Sequence, residues 1–479
     1  MNNKLFKKFI EFGIGNLIVL ITGFISSPII TRLILPEEFG KFSMFNTLTS
    51  LFSFILMLGL DQSYIRFFYE EDEELRGKLL IRVVNLSMIV NIILSLILVI
   101  FYKPLSKMII GQYSILLIFV IIIHNTFNII NKFSVLVVRM QQKGKSYSLL
   151  QILGRVSYIL FIVATFKFFK EDYRTLVFAS VLSNIVVAVL AVIIERKQWF
   201  SFSNKVEIKT SMREMIKFGM PLILSMSITW ILQSIDKFFI SAYNGYLELG
   251  IYSSAFTIVA LINSVQESFI TFWVPVANEK YKENPENTEF FSKINSIVSM
   301  FMLLIGVGII TFKDIIVILL GSKYREAVFI FPVLVLMPIM YTISETTVIG
   351  INFKKKTKYH IITSLIAAVA NIIGNMLLVP VLGAKGAAIS TGISYMIFFI
   401  ARTVISQRVY YVDYNLKRLY VSVSTLIVLA VYSSFNSTNI ISILLSFISL
   451  IVILLLYKFV ILDLINLLKK RRSEVIWKY

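Results

Sequence analysis

Long apolar stretches recur along the whole chain, separated by short polar segments. A helix needs about 20 apolar residues to cross a hydrocarbon core of about 30 Å, and each stretch is of that order. The pattern predicts an all-α polytopic membrane protein with about fourteen transmembrane helices. The predicted spans lie near residues 10–34, 42–65, 79–101, 113–138, 146–168, 174–194, 212–238, 247–275, 293–312, 326–350, 359–381, 386–405, 418–434 and 439–460.

Basic residues concentrate in the polar segments between the spans. Examples are QQKGKS at 141–146, KKKTK at 354–358 and KKRR at 469–472. If the N-terminus is cytoplasmic, most of the 47 Lys and Arg residues fall in cytoplasmic segments, as the positive-inside rule requires. The sequence therefore predicts that both termini are cytoplasmic. It also argues against nucleic-acid binding despite the net charge of +20, because the basic residues form no face with interleaved aromatic residues.

Composition supports a membrane protein and argues against an enzyme. Hydrophobic residues make up 57% of the chain and charged residues 15%, against about 25% charged in a soluble protein. The chain has no cysteine, which excludes disulfides, thiol catalysis and thiolate metal sites. The GKS sequence at 144–146 is not a phosphate-binding loop, because Arg139 stands where the first glycine belongs. The connections are also too short for a separate catalytic domain. We predict no catalytic residues and no metal site.

The chain contains an internal repeat. FIEFGIGNLIVLITGFISSPIITRLILPEEFGKFSMFNTL at 9–48 resembles MIKFGMPLILSMSITWILQSIDKFFISAYNGYLELGIYSSAFTI at 215–258, which aligns Gly40 with Gly250. An even number of predicted spans separates the copies, so they share one orientation in the membrane. We predict two parallel six-helix lobes followed by two additional transmembrane helices and a basic tail. Their ranges are 1–205, 206–410 and 411–479.

Two motifs resemble those of a known transporter family. TRLILPEEFGKFS at 31–43 carries an Arg, an apolar pair, a Pro and a Glu-x-Phe-Gly after the first span, and PVLGAKGAAIST at 380–391 has a glycine–alanine hairpin. In the hairpin we expect Gly383 and Gly386 to make the turn and the alanines to pack closely. Both motifs are similar to those of Wzx-type polysaccharide flippases, in the multidrug/oligosaccharidyl-lipid/polysaccharide superfamily. The resemblance covers roughly residues 1–410.

The resemblance implies a multidrug-exporter-like fold and an activity. Flippases of this type move a polyprenyl-pyrophosphate-linked oligosaccharide from the inner to the outer leaflet of the bacterial cytoplasmic membrane by alternating access. The product serves O-antigen, capsule or exopolysaccharide assembly. The implied partners are the lipid-linked oligosaccharide and membrane lipids, with a polysaccharide polymerase and glycosyltransferases as further candidates. No cofactor is implied, although coupling to H⁺ or Na⁺ is an open possibility.

Two alternatives belong to the same superfamily: a lipid II flippase and a cation-coupled multidrug exporter. Exporters of cationic drugs typically carry an acidic residue in the first lobe. Here the first predicted span has only Glu11, at its edge, whereas the deep charges of this lobe are Arg155 and Lys132. The charge pattern therefore favours an anionic substrate.

Arg155 is the deepest charge in the predicted spans. It lies near the middle of the fifth span, where arginine costs at least about 2.5–3.5 kcal/mol unless it faces protein or water. Gln151 and Tyr158 lie on the same helical face. Under the resemblance, its guanidinium would bind pyrophosphate through two parallel hydrogen bonds. A structural pairing with a neighbouring helix is the alternative.

A polar stripe interrupts the fourth span, in IIIHNTFNIINKFSVLVV at 121–138. Its members fall within about a third of the helical circumference. They are His124, Asn125, Asn128, Asn131 and Lys132. We predict a cavity wall in which Asn128 and Asn131 meet sugar hydroxyls and Lys132 adds positive potential. The alternatives are hydrogen bonding between helices for the asparagines and snorkelling to the membrane surface for Lys132.

The second lobe carries acidic residues inside its spans. Glu267 shares a helical face with Asn263 and Thr271, and Glu345 lies in the tenth span. A carboxylate in a low dielectric can carry a proton, so we predict ion coupling at Glu267 and Glu345. Pairing with basic residues is the alternative for both.

The ends of the two repeat-equivalent spans suggest a gate. Arg32 and Asp236 occupy nearly equivalent places in the two copies. We predict that they pair when the carrier faces inward and separate when it faces outward; solvation at the outer interface is the alternative. Asp61, at the end of the second span, is interpreted as an ordinary surface charge.

Overall fold

The protein is built from helices, as seen in a computed structural model, and the residues that the structure describes contain no β-strand. A helix satisfies its backbone hydrogen bonds internally, as lipid requires. The structure describes residues 22–23, 25–200, 208–463 and 465–466. The helices are α1 (25–33), α2 (Pro36–Met57), α3 (Leu60–Phe67), α4 (Arg76–Ile100), α5 (Tyr102–Ile110), α6 (Ile115–Met140), α7 (Gly144–Phe169), α8 (Tyr173–Ile194), α9 (Arg196–Trp199), α10 (Met212–Tyr243), α11 (Gly245–Glu283), α12 (Thr288–Thr311), α13 (Lys313–Ile316), α14 (Phe331–Leu334), α15 (Leu336–Thr347), α16 (Ile349–Phe353), α17 (Lys358–Val409), α18 (Leu416–Phe435) and α19 (Ile440–Leu456).

The multi-pass helical membrane fold predicted from the sequence is confirmed. Among the described residues, eight helices are long and apolar enough to cross a membrane, or up to eleven if each bent pair is one span. The predicted number of fourteen stays a prediction. Several starts carry the caps expected of them: Ser114, Asp172 and Asn439 each accept a hydrogen bond from a backbone N–H in the first turn of α6, α8 and α19.

The second predicted span is broken. It consists of α2 and α3, which meet at an angle of 50°. Leu58 and Gly59, between them, have φ values of 46° and 68°, and this left-handed backbone ends α2. The break redirects α3 and with it the side chain of Asp61.

The two spans predicted at 359–381 and 386–405 form one continuous run, α17, with a kink at Gly383. Gly383 has φ 56° and ψ −135°, a conformation open essentially to glycine alone. Gly386 serves the packing, because a Cβ there would lie 2.3 Å from the carbonyl oxygen of Leu378. Ala387 and Ala388 are buried. The expected hairpin is therefore present, with its turn made at Gly383.

The chain divides into two compact units. Among the described residues, the first comprises those up to Ser241 and Gly245–Ser253; the second comprises Ala242–Asn244 and those from Ser254 onward. The boundary therefore lies in α10 and α11, and the first turns of α11 belong to the first unit. The predicted lobes 1–205 and 206–410 with the C-terminal part 411–479 stay a prediction, because compactness does not identify repeat copies.

In the first unit, α6, α7 and α8 pack against one another, and α2 packs on α6 and α8. Small residues permit this closeness. The Gly154 carbonyl of α7 accepts a hydrogen bond of 2.7 Å from the Ser183 Oγ of α8. The Ser157 and Ser183 hydroxyls are 3.0 Å apart. Hydroxyl groups thus fix α7 against α8 in the middle of both helices.

Also within the first unit, α2 crosses the start of α11 with the two backbones in direct contact. A Cβ at Gly40 would lie 1.9 Å from the Tyr246 carbonyl oxygen, and one at Gly250 would lie 1.7 Å from that of Pro36. One turn further along both helices, the Ser253 Oγ donates to the Ser43 Oγ at 2.7 Å. The contact is thus symmetric about the two glycines that the sequence repeat aligns.

In the second unit, α12 packs on α15, α18 and α19, and α15 packs on α17. An aromatic cluster around Trp273 and Phe291 forms part of its core. At the start of α13, the fully buried Lys313 donates from Nζ to the carbonyl oxygens of Ser433 and Asn436, at 2.5 and 2.6 Å. These bonds hold the end of α18, because carbonyl oxygens satisfy the buried ammonium.

Candidate functional site

A polar cavity of about 560 Å³ lies in the first unit, between α2, α6, α7 and α8. Apolar side chains such as Phe42 and Val135 fill the space between its polar groups. All six residues predicted to bind substrate line it. They are Asn128, Asn131, Lys132, Gln151, Arg155 and Tyr158. The spacing along α6 and along α7 places each set on one helical face, and the packing of these helices brings the two faces together.

Amide hydrogen bonds organise the wall of the cavity. The Asn131 Nδ2 donates to the Asn184 Oδ1 at 2.7 Å, which links α6 to α8. The Asn184 Nδ2 in turn donates to the His124 carbonyl at 3.3 Å. The Asn128 Nδ2 donates to the Ser53 Oγ of α2 at 3.1 Å. These asparagines therefore join helices and also face the cavity, and their binding of sugar hydroxyls stays a prediction.

Asn125 departs from the rest of the stripe. It is fully buried and is not part of the cavity wall. His124 does line the cavity, and its ring meets that of Phe45 edge-on at 5.6 Å between centroids. The α6 stripe is thus split between a cavity face and a buried face.

Lys132 contacts an acid that the sequence did not connect with it. Its Nζ lies 3.7 Å from the Oδ2 of Asp61, and the two side chains are 37% and 10% exposed. The interpretation of Asp61 as an ordinary surface charge is wrong, because the break after α2 turns α3 and places Asp61 in the interior. Lys132 itself keeps its place in the cavity wall.

Arg155 has no hydrogen bond or ion pair with any described residue. Its side chain is exposed and lines the cavity. The backbone beside it is fixed, since the Gly154 carbonyl accepts from Ser183. A guanidinium held on a rigid helix with all of its donors available can bind a planar or tetrahedral oxyanion through two parallel bonds. No carboxylate is among the residues that line this cavity. The site thus has the charge and donors to hold an anion.

The site also contains groups that sequence reasoning missed. Asn46 of α2 and Asn184 of α8 line the cavity, together with Ser180 and Ser183. The signal was present in the sixth span, where Ser180, Ser183 and Asn184 repeat at helical spacing. Asn46 has no such neighbours, so only the packing of α2 reveals it.

In the second unit, Glu345 is held in a buried ion pair. Its Oε1 accepts from the Arg402 Nη1 at 2.7 Å, and the side chains are 8% and 6% exposed. The same nitrogen lies 2.7 Å from the Ser344 Oγ, and the guanidinium stacks over Phe398 at 4.6 Å. This is the pairing that the sequence left open as the alternative, and Arg402 was not singled out because it lies near the end of a predicted span. Coupling at Glu345 stays a prediction.

Glu267 is exposed, and its carboxylate has no partner among the described residues. Its backbone carbonyl accepts from the Thr271 Oγ1 at 2.8 Å. The Oδ1 of Asn263, on the same helical face, is buried and has no partner among the described residues. Glu267, Asn263 and Thr271 all lie on α11. Ion coupling at Glu267 stays a prediction.

The two predicted gate residues have other neighbours in this structure. Asp236 is 2% exposed and accepts a hydrogen bond of 2.6 Å from the Tyr252 hydroxyl. The exposed Arg32 donates from Nη1 to the carbonyl of Pro28 at 3.5 Å. The gate stays a prediction. Glu11 lies outside the described residues.

The chain is similar to proteins of known structure and to a curated relative. A structure of the lipid II flippase MurJ in an inward closed conformation matches with a TM-score of 0.71 and 17% identity, covering 95% of this chain and 100% of that one. An inward-facing multidrug resistance MATE transporter of the MOP superfamily matches with a TM-score of 0.54 and 16% identity, covering 83% of this chain and 93% of that one. These matches identify the transporter fold.

The Lsg locus putative protein 1 of Haemophilus influenzae is 24% identical over 356 residues, 73% of this chain and 84% of that protein. Residues 5–280 match the family described as polysaccharide biosynthesis protein, and the chain therefore belongs to that family.

Proposed function

We propose that the protein is a flippase that carries a polyprenyl-pyrophosphate-linked oligosaccharide across the bacterial cytoplasmic membrane for surface-polysaccharide assembly. A sugar chain and a pyrophosphate do not cross hydrocarbon unaided, because each unpaired polar group costs several kcal/mol there. The family and the transporter fold support this class of activity. Lipid II is a further pyrophosphate-linked glycan, so it provides the natural comparison substrate in a transport assay.

The observation that carries the proposal is the free guanidinium of Arg155 in a cavity without a carboxylate. An arginine that only stabilised the helix packing would have an acid or carbonyl partner. Arg155 is instead the group best placed to bind the pyrophosphate. The second cation, Lys132, lines the same cavity from α6 and adds positive potential to it.

The amides supply the complementary half of the site. Asn46, Asn128, Asn131, Gln151 and Asn184 line the same cavity. An amide offers both donors and an acceptor, which matches sugar hydroxyls better than it matches an apolar drug. The Asn131–Asn184 bond of 2.7 Å holds these groups in place, so their other hydrogen-bonding positions are preorganised toward the cavity.

Alternating access with H⁺ or Na⁺ coupling completes the proposed mechanism. Glu345 is occupied by Arg402 at 2.7 Å, so the exposed carboxylate of Glu267 is the better placed of the two predicted coupling groups. A polysaccharide polymerase and glycosyltransferases are proposed to act after and before the transport step.

The role of Arg155 can be tested by complementation of a strain that lacks its polysaccharide flippase. Arg155→Gln removes the charge and should reduce polymer at the cell surface at least about tenfold. Arg155→Lys keeps the charge but loses the planar guanidinium, so the amount of polymer at the cell surface should lie between that of Arg155→Gln and that of the parent. Arg174→Gln is the matched control, because Arg174 pairs with Asp172 at 3.0 Å outside the cavity. Full complementation by Arg155→Gln and Arg155→Lys, at equal protein levels in the membrane, would refute the proposal.

A further inference from the structure

Asp61 is not part of the cavity wall but contacts one residue of it, Lys132. Lys132 lines the cavity from α6, and its Nζ is 3.7 Å from the Asp61 Oδ2. Asp61 is itself 7% exposed and is not part of the wall. Its other polar contact is the Gln62 Nε2, at 3.1 Å. Asp61 is therefore an anion reachable by the same lysine that faces the cavity.

The position of Asp61 is set by packing that does not involve Lys132. The Ser63 Oγ donates to the Met215 carbonyl at 2.6 Å, which fixes α3 to α10 in the first unit. A Cβ at Gly59 would lie 2.5 Å from the Gly219 carbonyl oxygen, so the two backbones are in contact. Because α3 is anchored in this way, the position of Asp61 does not depend on its contact with Lys132.

The ion pair is loose in comparison with the buried pair of Glu345 and Arg402. The Glu345–Arg402 atoms are 2.7 Å apart with side chains that are 8% and 6% exposed, whereas Lys132 is 37% exposed and 3.7 Å from its partner. A long, partly solvated pair contributes little and is easily exchanged. A lysine is also flexible, with rotatable donors that can turn toward a new anion.

We propose that Asp61 is an internal competitor for the substrate: it holds Lys132 while the cavity is empty and yields it to the anionic head of the substrate. This inference rests on the proposed function. Asp61 favours highly charged ligands, because a weakly charged ligand does not displace the carboxylate from Lys132. It also promotes substrate release, because the Asp61 carboxylate can pair with Lys132 again as the substrate leaves. Asp61 acts through Lys132 and is a positioning residue, not a ligand of the substrate.

The test measures binding of undecaprenyl pyrophosphate to the purified protein, its dissociation rate, and movement of a fluorescent polyprenyl-pyrophosphate disaccharide between the leaflets of proteoliposomes. Asp61→Asn frees Lys132, so affinity should rise about two- to fivefold, dissociation should slow, and the maximal transport rate should fall. Lys132→Gln should weaken binding. Asp61→Asn combined with Lys132→Gln should bind like Lys132→Gln alone, because the competitor acts through that lysine.

Two further variants make the result decisive. Glu70→Gln is the matched control, since Glu70 follows the end of α3 and pairs with the exposed Arg66, and it should leave affinity unchanged. Asp61→Ser repeats the test if Asp61→Asn does not fold. Unchanged or weaker binding by a folded Asp61 variant overturns the inference, as does a gain that persists without Lys132. Absence of binding in the parent protein overturns the proposed function and the inference together, and is recognised because it appears before any substitution.

Discussion

The crossing of α2 with the start of α11 yields the sharpest structural prediction, for the change Gly40→Ala. The new Cβ would lie 1.9 Å from the Tyr246 carbonyl oxygen, whereas real Cβ contacts essentially never fall below 3.0 Å. The backbones must therefore separate by at least about 1.1 Å, the difference between these two distances. The obstacle is backbone, which cannot rotate away as a side chain can.

The expected cost is about 1–3 kcal/mol, the usual range for overpacking a close contact. Such a cost lowers the population of the closed crossing about 5- to 150-fold. Ser43 and Ser253 report on this population, because their hydroxyl oxygens are 2.7 Å apart. The chain has no cysteine, so the double variant Ser43→Cys/Ser253→Cys has only one disulfide to form.

The assay measures the rate of oxidative cross-linking in membranes. The chain is cleaved between positions 43 and 253, and a gel then separates fragments that are joined by the disulfide from fragments that are not. The double cysteine variant should cross-link readily, and Gly40→Ala in the same background should slow cross-linking at least about fivefold. Gly308→Ala is the control, since a Cβ at Gly308 meets nothing within 4 Å. Equal rates with Ala and Gly at position 40, or no cross-linking in the parent pair, would show that the reasoning about this crossing is wrong.

Three further predictions concern stability and orientation. Arg402→Gln leaves Glu345 uncompensated and should lower the free energy of unfolding by about 3–5 kcal/mol, and Glu345→Gln in the same chain should restore most of it in a thermal-shift assay. Gly383→Ala places a side chain at φ 56° and should cost about 1–3 kcal/mol by the same assay, whereas Gly308→Ala should not. Single cysteines at 143 and 356 should react with an impermeant thiol reagent from the cytoplasm, and those at 170 and 323 from outside; reversal at any two would contradict the predicted topology.

Helical periodicity was enough to predict much of the candidate site. Gln151, Arg155 and Tyr158 had to share a face of α7, and Asn128, Asn131 and Lys132 a face of α6, wherever the helices packed. That the two faces meet around one cavity depends on contacts between helices, such as the Ser183–Gly154 bond, and these involve residues too common to stand out in a sequence.

The features that escaped prediction share a physical cause: each depends on a local backbone choice or on a distant partner. Asp61 is interior because Leu58 adopts φ 46°, which is uncommon for leucine and is not signalled by its apolar surroundings. Arg402 lies near the end of a predicted span, and the sequence does not connect it with Glu345 because its partner lies on another helix. The turn at Gly383 was predictable because glycine is the residue that such a backbone requires.

In the proposed function, the cavity of the first unit binds the anionic head of a lipid-linked glycan through Arg155. The most direct measurement is leaflet inversion by the purified protein in proteoliposomes, with a fluorescent polyprenyl-pyrophosphate oligosaccharide made accessible to an impermeant quencher after transport. The parent protein should invert this lipid, Arg155→Gln should lose at least about nine-tenths of the rate, and Arg174→Gln should keep it. The account is contradicted if Arg155→Gln transports the glycolipid as fast as the parent, or if the parent moves lipophilic cations and leaves the glycolipid in its original leaflet.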